Sequence, residues 1–215
     1  MTEFLFLLKP VKILVFVTLL HALLGCEPGK KANRYLVVIL IICFATEMVM
    51  PLLDYFGYET GLAMTISIIV HNVLWIWLLR IFVGLQTAAQ LSIIAYLTFA
   101  LVNVLFLEGS HKFNYSTFVV GALIYIGLFV YGSFYRLKTE EFVLFLSNSY
   151  LLLAAPVLFF FGLSLMFGFR SREITSALLF DRIKLYDLII YFVNIVYYLL
   201  INIYIYREKR VTNGI

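Results

Sequence analysis

Charge is what this sequence has least of. Only 13% of its 215 residues are charged, while 64% are hydrophobic and the mean hydropathy is +1.02. Soluble domains carry about 25% charged residues. A soluble domain of this length has too much surface per unit volume to hide so large an apolar excess, so lipid has to cover it. Cysteine is equally sparse. Cys26 and Cys43 form no metal or redox spacing, and Cys43 reads as a small packed hydrophobe. The three histidines, His21, His71 and His111, are too scattered to make a metal set. HExxH, GxSxG and P-loop patterns are all missing, so the common catalytic signatures are absent. No cofactor or metal is expected. The net charge of +4 is modest, and no basic stripe interleaves with stacking aromatics, which argues against a nucleic-acid partner. There is no Ser/Pro linker, low-complexity tract or fixed-period repeat. The chain is therefore expected to form one transmembrane domain over residues 1–215, without a soluble domain.

What fills the sequence is apolar runs. A spanning helix needs roughly 20 apolar residues, and seven stretches qualify: Leu5–Leu24, Tyr35–Leu53, Leu62–Ile81, Leu91–Leu107, Thr117–Tyr135, Tyr150–Phe169 and Leu185–Tyr206. They predict an all-α polytopic transmembrane helix bundle of seven spans. Six is the alternative, because Lys9, Pro10 and Lys12 interrupt the first run, and Thr2–Lys9 then lies in the interface. Lys30, Lys31, Arg34, Arg80, Arg136, Lys138, Arg207, Lys209 and Arg210 fall on one side of such a bundle. The other side holds Lys9, Lys12, Lys112, Arg170, Arg172, Arg182 and Lys184. The tight clusters 30–34 and 207–210 beside span ends place the C-terminus in the cytoplasm and the N-terminus outside. The longest polar connection is Phe169–Lys184, and Glu140–Asn148 is amphipathic enough to lie on the membrane. Leu23-Leu24-Gly25-Cys26 looks like a lipoprotein signal, but Gly25 and Pro28 are better read as the end of helix one.

Polar groups at membrane depth need a partner or a cavity. Glu47 is the sharpest case, since no charge precedes it for a dozen residues. Cys43, Thr46, Glu47 and Met50 share a helical face. His71 and Asn72 lie near mid-depth in the third run, and Glu47 and His71 flank the short loop 54–61 at comparable depth. They form a candidate pair: a packing hydrogen bond, a proton-sensitive switch or part of a ligand site. In the last run Asp187, Tyr191, Asn194, Tyr198, Asn202 and Tyr206 step by three or four and predict a polar stripe. The stripe reads either as an interhelical seam or as a cavity wall. Ser92, Tyr96 and Asn103 share a face of the fourth run, and Gly121 allows close approach in the fifth. Pro156 is expected to kink the sixth and free a carbonyl. His111 and Asn114 read as exposed loop residues. The ligand or polar-core candidates are thus Glu47, His71, Asn72, Asn103, Asp187, Tyr191, Asn194, Tyr198 and Asn202, with no catalytic set among them.

Glu47 in the second run, Phe113-Asn114-Tyr115-Ser116 before the fifth, Tyr131–Asn148, and the asparagine-bearing last run with its basic tail make a recognisable pattern. Over roughly Tyr35 to Arg210 the chain resembles a family of small seven-helix bacterial membrane proteins, some of whose relatives resemble the membrane sensor halves of histidine kinases. The resemblance implies a multi-pass protein of the bacterial cytoplasmic (inner) membrane that senses, or docks a partner, without being an enzyme. Because no output domain follows Arg210, a separate protein partner or a homo-oligomer would carry the signal. The alternatives are an oligomeric channel, transporter or pore-forming effector and, third, an intramembrane lipid-modifying enzyme using Glu47 or Asp187 with His71 as acid and base.

Overall fold

The computed structural model describes residues 10–168, 178–179 and 183–212. The order is α1 (Pro10–Gly25), α2 (Lys31–Tyr55), α3 (Gly61–Val83), α4 (Gln86–Val102), α5 (Tyr115–Lys138), the single turn α6 (Val143–Leu146), α7 (Asn148–Gly168) and α8 (Leu185–Thr212). A two-residue antiparallel pair, β1 (Leu178–Leu179) with β2 (Ile183–Lys184), precedes α8. It is a local exception in an otherwise all-α bundle. Most of the Phe169–Lys184 connection, including Arg170, Arg172 and Arg182, lies outside the described residues, as does Thr2–Lys9.

Six helices are long and apolar enough to cross a membrane: α2, α3, α4 with its π-helical extension Asn103–Leu107, α5, α7 and α8. α1 is shorter, at 16 residues, which spans about 24 Å at 1.5 Å per residue. The bundle is thus a multi-pass membrane fold of six to seven spans. Most helices overrun their apolar runs at one or both ends, because the backbone stays hydrogen-bonded into the interface while Lys and Arg stems reach outward.

Packing makes a closed ring. Neighbours run α1–α2–α3–α5–α7–α8 and back to α1, and α4 lies outside against α3 and α5. Small residues set the closest approaches. A Cβ on Gly162 would come 2.5 Å from Val193 of α8, and one on Gly25 would come 2.8 Å from Ile205. Pro156 sits buried inside α7, and the nearby Leu153 carbonyl accepts the Tyr125 hydroxyl at 2.7 Å. Pro51 lies inside α2, where it removes the amide that would otherwise donate to the Glu47 carbonyl.

The nine basic residues assigned to one side gather at one end of the ring. Lys30 bonds Glu208 at 2.7 Å, Asn148 reaches the Tyr204 carbonyl at 2.9 Å, and Arg136 donates to the Val83 carbonyl at 3.1 Å while pairing with Glu141. The α2–α3 loop, the loop before α5 and the start of α8 lie at the opposite end.

Candidate functional site

In the half of the ring nearest the α2–α3 loop, five helices and the loop before α5 leave a partly open cavity of about 390 Å³. α2 contributes Cys43, Thr46 and Glu47; α3 contributes Ser67 and His71; α8 contributes Asn194 and Tyr198. The rest of the wall is aromatic, with Phe113, Tyr115 and Phe118 on one side and Phe159 and Phe167 from α7 on another. Glu47 is the sole carboxylate among the described lining residues.

The polar groups are fixed locally. Thr46 donates its hydroxyl to the Ile42 carbonyl at 2.8 Å and also meets the Ser67 hydroxyl across the helices. Asn194 turns its amide back to the Ile190 carbonyl at 2.8 Å. Backbone bonding of this kind is what a short polar side chain does when no water is at hand.

His71 forms the floor. Its Nε2 accepts from the indole nitrogen of Trp75 at 3.2 Å, and the same indole reaches the Tyr197 hydroxyl at 3.2 Å. Indole nitrogen donates only, so its single N–H is shared between His71 Nε2 and the Tyr197 hydroxyl. Edge contacts from Phe159 and Phe160 at 6.1 and 5.8 Å fix the ring plane. Below it, Trp75, Tyr125, Phe160 and Tyr197 are fully buried; Trp75 meets Tyr125 and Tyr197 edge to face, and Phe160 lies tilted against Tyr125. This aromatic layer closes the cavity toward the basic end. Glu47 and His71 therefore line one chamber, as their depths predict, while the described hydrogen bonds of His71 run to Trp75 and Tyr197.

The other candidates disperse. Asn72, next to His71, faces away from the cavity and donates to the Tyr96 hydroxyl at 2.9 Å, beside Gly121. Asn103 begins the π turn that ends the fourth span and ties it to Thr117 at 2.8 Å and to Glu108 at 3.2 Å. The α8 stripe does not hold one face. Asn194 and Tyr198 are buried, but Asp187, Tyr191 and Tyr206 are exposed. Each i+4 step advances about 40° beyond a full turn, so the two successive fours after Tyr198 carry Tyr206 off the buried side. Asn202 sits at the border of α8 with α1. It donates to Thr18 at 2.7 Å and to the Tyr198 carbonyl at 2.8 Å, and its Oδ1 meets His21 Nδ1 at 2.8 Å. Asn114 is buried rather than exposed, and its amide nitrogen donates to Thr65 at 3.1 Å. His111 is exposed and pairs with Glu59 at 2.7 Å.

Tyr197 and Tyr204 escaped the sequence reading, and Lys12 entered it only as a break in the first run, although all three are buried. A tyrosine in an apolar run gives no sign of facing the core or lipid. Only the Asn33–Tyr204 bond, 2.6 Å across α2 and α8, reveals the role of Tyr204. Among the described residues no group of three or more His, Cys, Asp or Glu is placed to hold a metal.

These features define a polytopic helical membrane protein with a partly open, aromatic, polar-tipped chamber. No protein-family model, curated protein or solved structure matches the chain.

Proposed function

We propose that this protein is a non-enzymatic sensor or partner-docking subunit of a bacterial inner-membrane complex, and that the chamber holds a small amphipathic ligand. The basic end is cytoplasmic and the chamber faces the outer side, following the positive-inside rule. The carrying observation is the form of the chamber: a few polar groups, Glu47 among them, set in aromatic walls over a closed aromatic floor. Binding pockets have this mix of apolar walls and a few placed polar groups. A conduit would need polar lining through the Trp75–Tyr197 level, so the floor speaks against transport within a single chain. The resemblance to a small seven-helix family, some of whose relatives resemble sensor halves of histidine kinases, supports the same reading.

Mild extraction followed by native mass spectrometry tests both parts. Wild type is expected to carry a small amphiphile and a stoichiometric protein partner. Ser67→Trp, which fills the chamber, is expected to lose the amphiphile while remaining folded. A ligand-free monomer that conducts ions in liposomes would overturn the proposal.

A further inference from the structure

At the basic end several cations already have partners. Lys30 is held by Glu208 and Glu27. Arg34 donates to the Pro28 carbonyl at 2.8 Å, and Arg136 is shared between Glu141 and the carbonyls that end α3. Arg80, in the last turn of α3, is held by a ring face and a neutral amide. No carboxylate among the described residues lies within ion-pair distance of it. Its guanidinium carbon stacks 4.6 Å from the centre of the Trp77 ring. With the Gln90 amide oxygen turned toward it, both terminal nitrogens are accepted, at 3.2 and 3.3 Å. A neutral amide and a ring face orient a guanidinium without cancelling its charge.

The chain sets this group beside a groove. Gly84 takes the left-handed conformation (φ +76°) as the C-cap of α3, so only Gly84 and Leu85 separate α3 from α4. That tight turn brings Thr87 and Gln90 of α4 level with Arg80. Below them the α3–α4 groove, about 410 Å³, is lined by Trp77, Thr87, Gln90, Leu91, Ile93 and Ile94. Thr87 and Gln90 give it a polar rim, with Arg80 held beside it by Gln90, and the rest is apolar, with Leu91 and Ile94 facing outward. A tryptophan beside an arginine at a span end is the arrangement of the membrane–water interface.

We propose that this groove is a binding site for an anionic phospholipid. Arg80 and the Thr87 hydroxyl take the headgroup phosphate, and an acyl chain lies along Leu91 and Ile94. Charge complementarity selects the occupant: an oriented cation without a protein carboxylate, at headgroup level, above an apolar track. The site is separate from the α2–α3–α8 chamber and does not depend on its function.

The experiment uses the full chain in detergent and titrates short-chain phosphatidylglycerol, short-chain phosphatidylcholine and inorganic phosphate separately, reading bound species by native mass spectrometry. Wild type is expected to prefer phosphatidylglycerol. Arg80→Gln is expected to weaken that lipid roughly fivefold, the effect of one basic residue near an anionic surface, with an unchanged melting temperature. Ile94→Trp, which blocks the apolar track and keeps the charge, is expected to weaken it as well. Lys138→Gln, an exposed cation at the same end, leaves it unchanged. Equal binding of both lipids, or an Arg80→Gln protein that binds as wild type does, overturns the proposal. So does inorganic phosphate binding at Arg80 while Ile94→Trp leaves lipid binding intact, since the site would then be for a free anion.

Discussion

Replacing Asn202 with leucine should loosen α1 from the bundle without unfolding the rest. Asn202 is the polar hub between α8 and α1: its amide donates to Thr18, and its oxygen meets His21. Val15, Leu19 and Ala22 add buried apolar contacts along α1. Lipid solvates such side chains as well as protein does, so the hydrophobic effect gives α1 little reason to stay. Interhelical hydrogen bonds in membranes average about 0.6 kcal/mol and reach about 1.7, so the two interhelical bonds predict a loss of roughly 1–3 kcal/mol. The lower half of that range is favoured, because the Thr18 hydroxyl can fall back on a carbonyl of its own helix. Leucine adds no buried polar group, so the loss reports the bonds themselves. Reversible unfolding in mixed micelles, with Thr18→Val and the double variant completing a cycle, measures it. The expected coupling between positions 18 and 202 is about 0.6–1.7 kcal/mol. A coupling within the usual error of about 0.3–0.5 kcal/mol of zero would refute the hub.

Two further outcomes test other joints. Gly121→Ala should destabilise by about 1–3 kcal/mol, the cost of overpacking, because its Cβ would press on the Asn72 amide and come 2.8 Å from the Tyr96 ring. Gly127→Ala, with nothing within 4 Å of its Cβ, should stay within about 0.5 kcal/mol of wild type, and thermal unfolding of the two variants decides. At the basic end the bond to Glu208 raises the Lys30 pKa, despite a smaller opposing effect of burial. A raised lysine contributes stability that is fully present below its unfolded value and lost as pH climbs through the folded one. Wild type should therefore lose its advantage over Lys30→Met only above about pH 10.5, and parallel melting curves from pH 7 to 11 check this. An advantage that disappears already below pH 9 would show that this bond is not its source.

The solvent and the helices were legible in the sequence because hydropathy alone carries them. Every described run of about 20 apolar residues became a helix, and the weak first run, cut by Pro10, became the short one. Which face points inward was far less legible. In water the inward face of a helix is the apolar one, but lipid and core are equally apolar here, so the pattern of a membrane helix hardly distinguishes them. Phe159 lines the chamber while Phe161, two residues on, is exposed, and nothing in that stretch of sequence separates them. Only polar residues break the tie, which is why Glu47, His71 and Asn194 could be singled out and do share a cavity. Even there spacing misleads over distance: on α8 Asn194 and Tyr198 stay inside, and Tyr206 has turned outward.

α8 shows what the arrangement offers a sensor. Asn194 and Tyr198 form part of the chamber wall, and Tyr197 supports its floor through Trp75. One turn further Asn202 holds α1. Then Tyr204 bonds Asn33 of α2, and Glu208 meets both Lys30 and Asn148. From Asn194 to Glu208 is about 21 Å along the axis at 1.5 Å per residue. The helix is continuous over that length, and Gly162 leaves Val193 no slack against α7. A ligand that displaces Tyr198 therefore has a rigid element to act on, one with directional polar contacts at its far end. Such contacts have discrete made and broken states, whereas apolar packing in lipid slides at little cost. Sensing through α8 consequently makes a specific demand: ligand occupancy must change the protection of the Tyr204–Asn33 and Glu208–Lys30 contacts. Hydrogen exchange at the basic end that is indifferent to an occupied chamber would remove α8 as the transmitting element.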